Sequence, residues 1–155
     1  MQEKEVKVVA ENRKAYHEYF IDERMEAGIE LAGTEVKSIR AGKVSLAESY
    51  AAVLNGELWL VGCHVSPYEQ GNRFNKEPMR TRRLLMHHSE IMRLYGLVKQ
   101  KGLTLVPTKV YFRAGRVKVE IGVARGKKLH DKRETEAERQ AAREIDRRMK
   151  GARED

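Results

Sequence analysis

Apolar side chains are concentrated in one part of this chain. Of its 63 apolar residues, 56 lie within residues 1–125 and only seven within residues 126–155. A stretch so poor in apolar surface cannot bury enough to offset the entropy of its own ordering, so the last thirty residues cannot carry a core. The sequence therefore predicts one folding unit over 1–125 and a polar tail over 126–155. A length of 155 residues is consistent with a single domain.

Within the first part the periodicity is that of strands. Tyr50–Leu54 and Glu57–Val61 flank Asn55-Gly56, the pair best suited to a two-residue hairpin turn, in which both central residues take positive φ. A second hairpin is predicted from Lys109–Phe112 and Val117–Val123 around Arg113-Ala114-Gly115-Arg116. There Val117, Val119, Ile121 and Val123 alternate with Lys118, Glu120 and Gly122, which sends the valines inward and Lys118 outward. Tyr19–Ile21 and Ala27–Leu31 read as further strands joined by a charged bend at Asp22, Glu23 and Arg24, with Gly28 marking a bulge or a close approach.

Helices are few. Thr34 is placed to cap a short one from Glu35 to about Arg40, ended by Gly42. A longer one starts at Ser89, carries Ile91, Leu94, Tyr95 and Val98 along one face, and stops at Gly102; Gly96 inside it suggests tight packing. Ser66–Met79, rich in Asn, Gly, Pro and charge, reads as a long loop. Together these elements predict a mainly β fold with short helices. The expected architecture is a small closed antiparallel barrel of the OB type, followed by a flexible tail that is helical only conditionally.

The chain carries 31 Lys and Arg against 23 Asp and Glu, a formal charge of +8, which makes a polyanion the natural partner. A lone cysteine, Cys63, excludes an internal disulfide, and no Cys/His spacing of the zinc type is present, so a reduced cytoplasmic protein without a metal is expected. Apolar runs of about five residues are far short of the roughly 20 that span a bilayer. The mixed charges of Met1–Val9 form no signal-peptide core.

The sequence favours binding over catalysis. It has no nucleophile elbow, dinucleotide loop or zinc-protease pair. Gly122–Lys128 resembles a phosphate loop only superficially: its glycines are one residue too close, and Lys128 stands where a magnesium-binding hydroxyl belongs. His87 and His88 are adjacent and so point apart, while Cys63 ends an apolar strand as a small core residue. No enzyme activity and no cofactor are expected.

Basic clusters carry more information. Arg73, Lys76, Arg80, Arg82 and Arg83 fall within eleven residues, and Arg favours bidentate phosphate contact; Arg82 and Arg83 are expected at an RNA surface. Tyr16, His17, Tyr19 and Phe20 lie beside Arg13 and Lys14, the mixture of aromatics and cations that RNA-binding barrels use. In the tail, Gly126–Arg133 is strongly cationic, and Glu134–Lys150 is rich in helix formers with a thin stripe at Ala137, Ala141, Ile145 and Met149. That stripe predicts a helix too weakly apolar to seat firmly, which leaves either a disordered, solubilising tail or a segment that folds on a polyanion. With only Ile145 and Met149 as large apolar groups, it suits a membrane surface poorly.

Several strings now matter together: Asn12-Arg13-Lys14-Ala15; Glu26-Ala27-Gly28-Ile29; Gly33 to Gly42, reading Gly-Thr-Glu-Val-Lys-Ser-Ile-Arg-Ala-Gly; Glu48-Ser49-Tyr50; Pro78 to Leu85, reading Pro-Met-Arg-Thr-Arg-Arg-Leu-Leu; and Gly126 to Arg133, reading Gly-Lys-Lys-Leu-His-Asp-Lys-Arg. In this order, from about Asn12 to Lys150, the chain closely resembles the small protein B family, the SsrA-binding proteins of bacterial trans-translation.

The resemblance implies a non-enzymatic, monomeric protein. Its barrel would grip the tRNA-like domain of transfer-messenger RNA, and its tail would become helical in the empty mRNA channel of a stalled ribosome, beside the decoding centre. Elongation factor Tu and alanyl-tRNA synthetase are then expected partners through the RNA. The positions matching the family's RNA-gripping set are Asn12, Tyr19, Glu26, Leu85 and Lys118, and His17 matches one that faces the decoding region. In the tail the matching residues are Lys127, Lys128, His130, Asp131, Lys132, Arg133 and Met149. Arg83 and Arg125 stand where the family usually has Lys, which preserves charge. The alternative reading is another ribosomal or initiation-type RNA-binding barrel protein.

Overall fold

The computed structural model describes residues 6–70, 75–127 and 139–149. The elements run in the order β1 (Val6–Glu11), α1 (Arg13–Glu18), β2 (Tyr19–Ile29), α2 (Gly33–Arg40), β3 (Val44–Ser45), β4 (Tyr50–Leu54), β5 (Glu57–Val61), β6 (His64–Val65), β7 (Arg82–Leu85), α3 (His88–Lys101), β8 (Thr104–Arg113) and β9 (Arg116–Gly126). The larger sheet is antiparallel in the order β1-β8-β4-β5-β7-β2-β9. Pairing of β9 with β8 turns it into a ring, with β1 added outside β8. The mainly β class and the closed antiparallel ring are those read from the alternating apolar pattern.

The ring closes because each strand sends one row of apolar side chains inward. Leu58, Leu60, Leu84, Leu105, Val119 and Ile121 are at most 1% exposed and form the centre of the core. Each contributes about 1.5–3 kcal/mol by leaving water. The Asn55-Gly56 hairpin has the predicted register, with Tyr50 opposite Val61 and Leu54 opposite Glu57, and φ of 53° and 75° at its two central residues. Helix α3 lies over β4 and β5, buries Ile91 and Leu94, and ends at Gly102.

Three local expectations change, and one strand forms where none was expected. The charged bend at Asp22–Arg24 is not a bend: β2 runs unbroken for eleven residues, and a bulge between Ile21 and Glu23 lets Phe20, Asp22, Arg24 and Glu26 stay on the outer face. Thr34 is not the cap of α2. Ala32 holds that position, and its backbone N–H donates to the Glu35 carboxylate at 2.9 Å. Gly96 has open space where a Cβ would stand, so nothing packs tightly on it. Val6–Glu11, which shows no clear strand signal, becomes β1 because the outer edge of β8 offers it a ladder.

Residues 139–149 are helical, and the thin stripe is seated after all: Ala141 is 4% exposed and Ile145 is fully buried. The helix and the ring enclose a cleft of about 610 Å³, lined by Tyr19, Tyr50, Val53, Tyr95, Val98 and Ile145 among others. Two polar contacts fix the seating: the Tyr50 hydroxyl donates to Glu144 at 2.8 Å, and Arg148 donates to Glu77 at 3.0 Å. Ala141 and Ile145 line that cleft opposite Tyr19, Tyr50 and Tyr95, whose rings supply apolar surface that the tail lacks.

Candidate nucleic-acid interface

Strand register assembles the site on the outer face of β7, β2 and β9. Gly28 is the Cα partner of Leu85 on one side and of Lys118 on the other, so these three positions lie in one row across three strands. Period two along each strand places Arg83, Glu26 and Glu120 on the same face. A Cβ at Gly28 would come within 3.3 Å of the Leu85 Cβ, which is the close approach its glycine suggests. The absent side chain leaves a shallow step, beside which Leu85 stands 44% exposed.

Charge at this face is mixed by design of the strands. The Glu26 carboxylate accepts from the Tyr111 hydroxyl at 2.5 Å and pairs with Arg113 at 2.9 Å. Burial, and then Glu26 itself, push the Tyr111 phenol well above its ordinary value, so it remains a donor that orients the carboxylate. Arg83 is exposed and only loosely paired with Glu57 at 3.4 Å, leaving its guanidinium accessible to a phosphate.

Arg82 is different and must be taken off the RNA surface. Alternation turns it inward, where it is fully buried. Its Nε donates to Glu35 at 2.7 Å, and its terminal nitrogens donate to the carbonyls of Cys63, Arg80 and Pro78 at 2.8–3.1 Å. Arg80 also donates to Glu35, at 2.6 Å. Burial by itself would raise the Glu35 pKa, but Arg80, the Ala32 N–H and Arg82 together hold it below the usual carboxylate range. Two members of the basic cluster thus tie α2 to the start of β7 instead of facing solvent.

Asn12 is corrected in the same sense. It is buried, its side-chain oxygen accepts from Ala15 N–H at 3.3 Å as the cap of α1, and its nitrogen donates to the Pro107 carbonyl at 2.9 Å. It positions α1, with 7% of its surface exposed. Tyr19 is half-buried in a small cluster with Ala15, Val106 and Ala124, beneath that helix and at the far end of β2 from Glu26.

A second group forms there. His17 is exposed at the end of α1. Lys127 is fixed beside it, its backbone N–H donating to the Glu18 carbonyl at 3.0 Å and its ammonium to the Tyr16 carbonyl at 2.9 Å. The residue facing the decoding region in the resemblance and the root of the tail are therefore neighbours. Lys128, His130, Asp131, Lys132 and Arg133 lie outside the described residues. Met149, half-buried, is the last described residue of the tail helix.

Exposed Phe20 and Tyr16 were not expected individually as contacts, though their place among cations was a usable signal. Among the described residues no group of three potential ligands is placed to hold a metal, and no helix is long and apolar enough to cross a membrane. Burial pushes the Cys63 thiol up to about 11, unsuited to nucleophilic work. Gly122 is packed against Ile21 and Thr108 within a continuous strand, not folded into a phosphate cradle.

Comparison with known proteins identifies the family. A family profile described as SmpB protein matches residues 9–151. The SsrA-binding protein of Acetivibrio thermocellus is 63% identical over 150 residues, covering 97% of each chain. That of Carboxydothermus hydrogenoformans is 62% identical over 144 residues, covering 93% of this chain and 97% of its own. A solved structure described as "tmRNA-SmpB: a journey to the center of the bacterial ribosome" contains a chain that is 54% identical, with a TM-score of 0.66 over 79% of this chain and 86% of that one. With a profile match across nearly its whole length and relatives above 60% identity, this chain belongs to the SmpB protein family.

Proposed function

We propose that this protein binds the tRNA-like domain of transfer-messenger RNA and brings it to stalled ribosomes for trans-translation. The observation that carries the reading is the row Leu85, Gly28 and Lys118 across three strands, with Arg83 and Glu26 on the same face. Lys118 and Arg83 supply phosphate contacts. Glu26, oriented by Tyr111, accepts hydrogen bonds from base edges or ribose hydroxyls, and Leu85 packs against an unstacked base or sugar. Such a face reads a folded RNA by shape and edge, whereas charge alone would bind any polyanion.

The tail serves the ribosome: its cationic root at Lys127 leaves the ring beside His17, and on the ribosome the tail, its helix released from its seat at Tyr50 and Glu77, occupies the empty mRNA channel next to the decoding centre. Elongation factor Tu and alanyl-tRNA synthetase meet the protein through the RNA they share. It works as a cytoplasmic monomer and performs no chemistry of its own.

A competition gel shift tests this. Nuclease-treated protein is offered the tRNA-like fragment, an elongator tRNA of equal length and duplex DNA across a salt series. Preference for the fragment that survives rising salt is expected. Equal, salt-sensitive binding to all three would leave only the +8 charge acting and would overturn the reading.

A further inference from the structure

Phe20 lies on the outer face of β2 and is 50% exposed, so about half of its apolar ring stays in water. One exposed Phe is ordinary on any surface. This one is not alone. The Arg125 guanidinium lies 5.4 Å from its centroid and the Lys127 ammonium 5.3 Å, while Arg24 lies 5.6 Å from the ring of Tyr16, itself 42% exposed.

Both cations beside Phe20 are held in place. Arg125 donates to the two Asp22 carboxylate oxygens at 2.7 and 3.1 Å, and Lys127 is tied to the Tyr16 carbonyl at 2.9 Å. Their positions are therefore set before any ligand arrives, which removes part of the ordering cost of binding. A half-exposed ring with two fixed cations over it offers π surface and positive charge together, which matches a nucleotide: the base packs on the exposed part of the ring and the Arg125 guanidinium plane, and the phosphates meet the charges.

We propose that Phe20, flanked by Arg125 and Lys127, is a stacking site for an unpaired base of ribosomal RNA. The proposal rests on the reading above that the root of the tail acts on the ribosome. Location selects the source. Phe20 is eight residues along β2 from Gly28, a separation of about 25 Å, so the Leu85, Gly28 and Lys118 row does not itself reach it. Lys127, by contrast, is the tail's own root and touches Phe20. The strand acts as a spacer, with one RNA at each end.

The test measures binding of the full chain to purified small ribosomal subunits and, separately, to the tRNA-like fragment. Phe20→Ala and Phe20→Leu should each weaken subunit binding about ten-fold, as loss of one stacked base does. Phe20→Trp should keep subunit affinity within about two-fold, and its emission, taken as the difference from wild type with its single Trp59, should be quenched on binding. Fragment affinity should stay unchanged in all three variants, with Lys118→Ala as the variant that loses it. Wild-type subunit affinity in Phe20→Ala or Phe20→Leu would overturn the stacking site, because Leu keeps the bulk and lacks the π face. An equal loss in the fragment arm would overturn the assignment to ribosomal RNA. If the wild-type protein shows no preference for the fragment, the function proposed above fails, while the subunit arm still decides Phe20.

Discussion

The Tyr50 hydroxyl donates a hydrogen bond of 2.8 Å to the Glu144 carboxylate, joining the first strand of the central hairpin to a helix 94 residues later in the chain. Burial, and then that carboxylate, raise the Tyr50 phenol well above its ordinary value, so the bond persists throughout the physiological range. Ile145, next along the helix, is fully buried.

The seating of the tail helix should therefore be separable from the stability of the ring. Ile145→Ala removes the apolar anchor and Tyr50→Phe the polar one, costing the docked helix about 2–3 kcal/mol and about 1.5 kcal/mol respectively. Hydrogen exchange at residues 139–149 should accelerate in both, while amides of β8 and β9 remain protected. Unchanged exchange in Ile145→Ala would mean that another contact holds the helix.

Arg82 and Arg83, adjacent in sequence, should behave oppositely. Arg82→Met strands the Glu35 carboxylate with Arg80 as its remaining cation and should lower stability by about 3 kcal/mol, with little effect on how RNA affinity depends on salt. Arg83→Ala should leave the melting temperature nearly unchanged and reduce the salt slope by about one. Because the folded Glu35 pKa is depressed, its contribution is present above the unfolded carboxylate value, about 4.3, and is lost as pH falls through the folded value. Acid titration of Glu35→Gln should lack that loss. An acid limb identical to wild type would show that Glu35 is not the group responsible.

Lys118→Ala should weaken binding to the tRNA-like fragment and flatten its salt slope by about one, the signature of one lost phosphate contact. Truncation after residue 130 should leave fragment affinity within about two-fold and abolish tagging on stalled ribosomes. Collapse of fragment affinity in the truncation would contradict the division between barrel and tail.

Gly28 should accept Ala with a small loss and resist larger residues. Its Cβ would already stand 3.3 Å from the Leu85 Cβ, so Gly28→Val must push Leu85 out of the row. A loss of about 1 kcal/mol in stability is expected from overpacking, with a larger fractional loss in RNA affinity. Melting curves and gel shifts on the same preparations check it. An unaffected affinity would remove Leu85 from the interface.

Where local pattern and tertiary packing agree, the sequence is easy to read. The Asn55-Gly56 turn and the Val117–Val123 alternation depend only on near neighbours, and both stand as predicted. The continuity of β2 was hidden because three charges in a row resemble a loop, and only a partner strand on each side makes a bulged, outward-charged strand favourable. Arg82 was misread for the same reason. Its neighbours Arg80 and Arg83 are accessible to different extents, yet nothing in a string of arginines says which one will meet a buried carboxylate 47 residues upstream.

By itself, then, the sequence determined what short-range periodicity and composition control: a mainly β class, a stretch after residue 125 poor in apolar side chains, a surplus of cations and the kinship carried by ordered motifs. Tertiary structure alone decided which cations face outward, that Asn12 caps a helix, and that Ala141 and Ile145 find apolar cover. Burial and ion pairing depend on what the rest of the chain brings near a residue, and strand register, set by contacts distant in sequence, does the bringing.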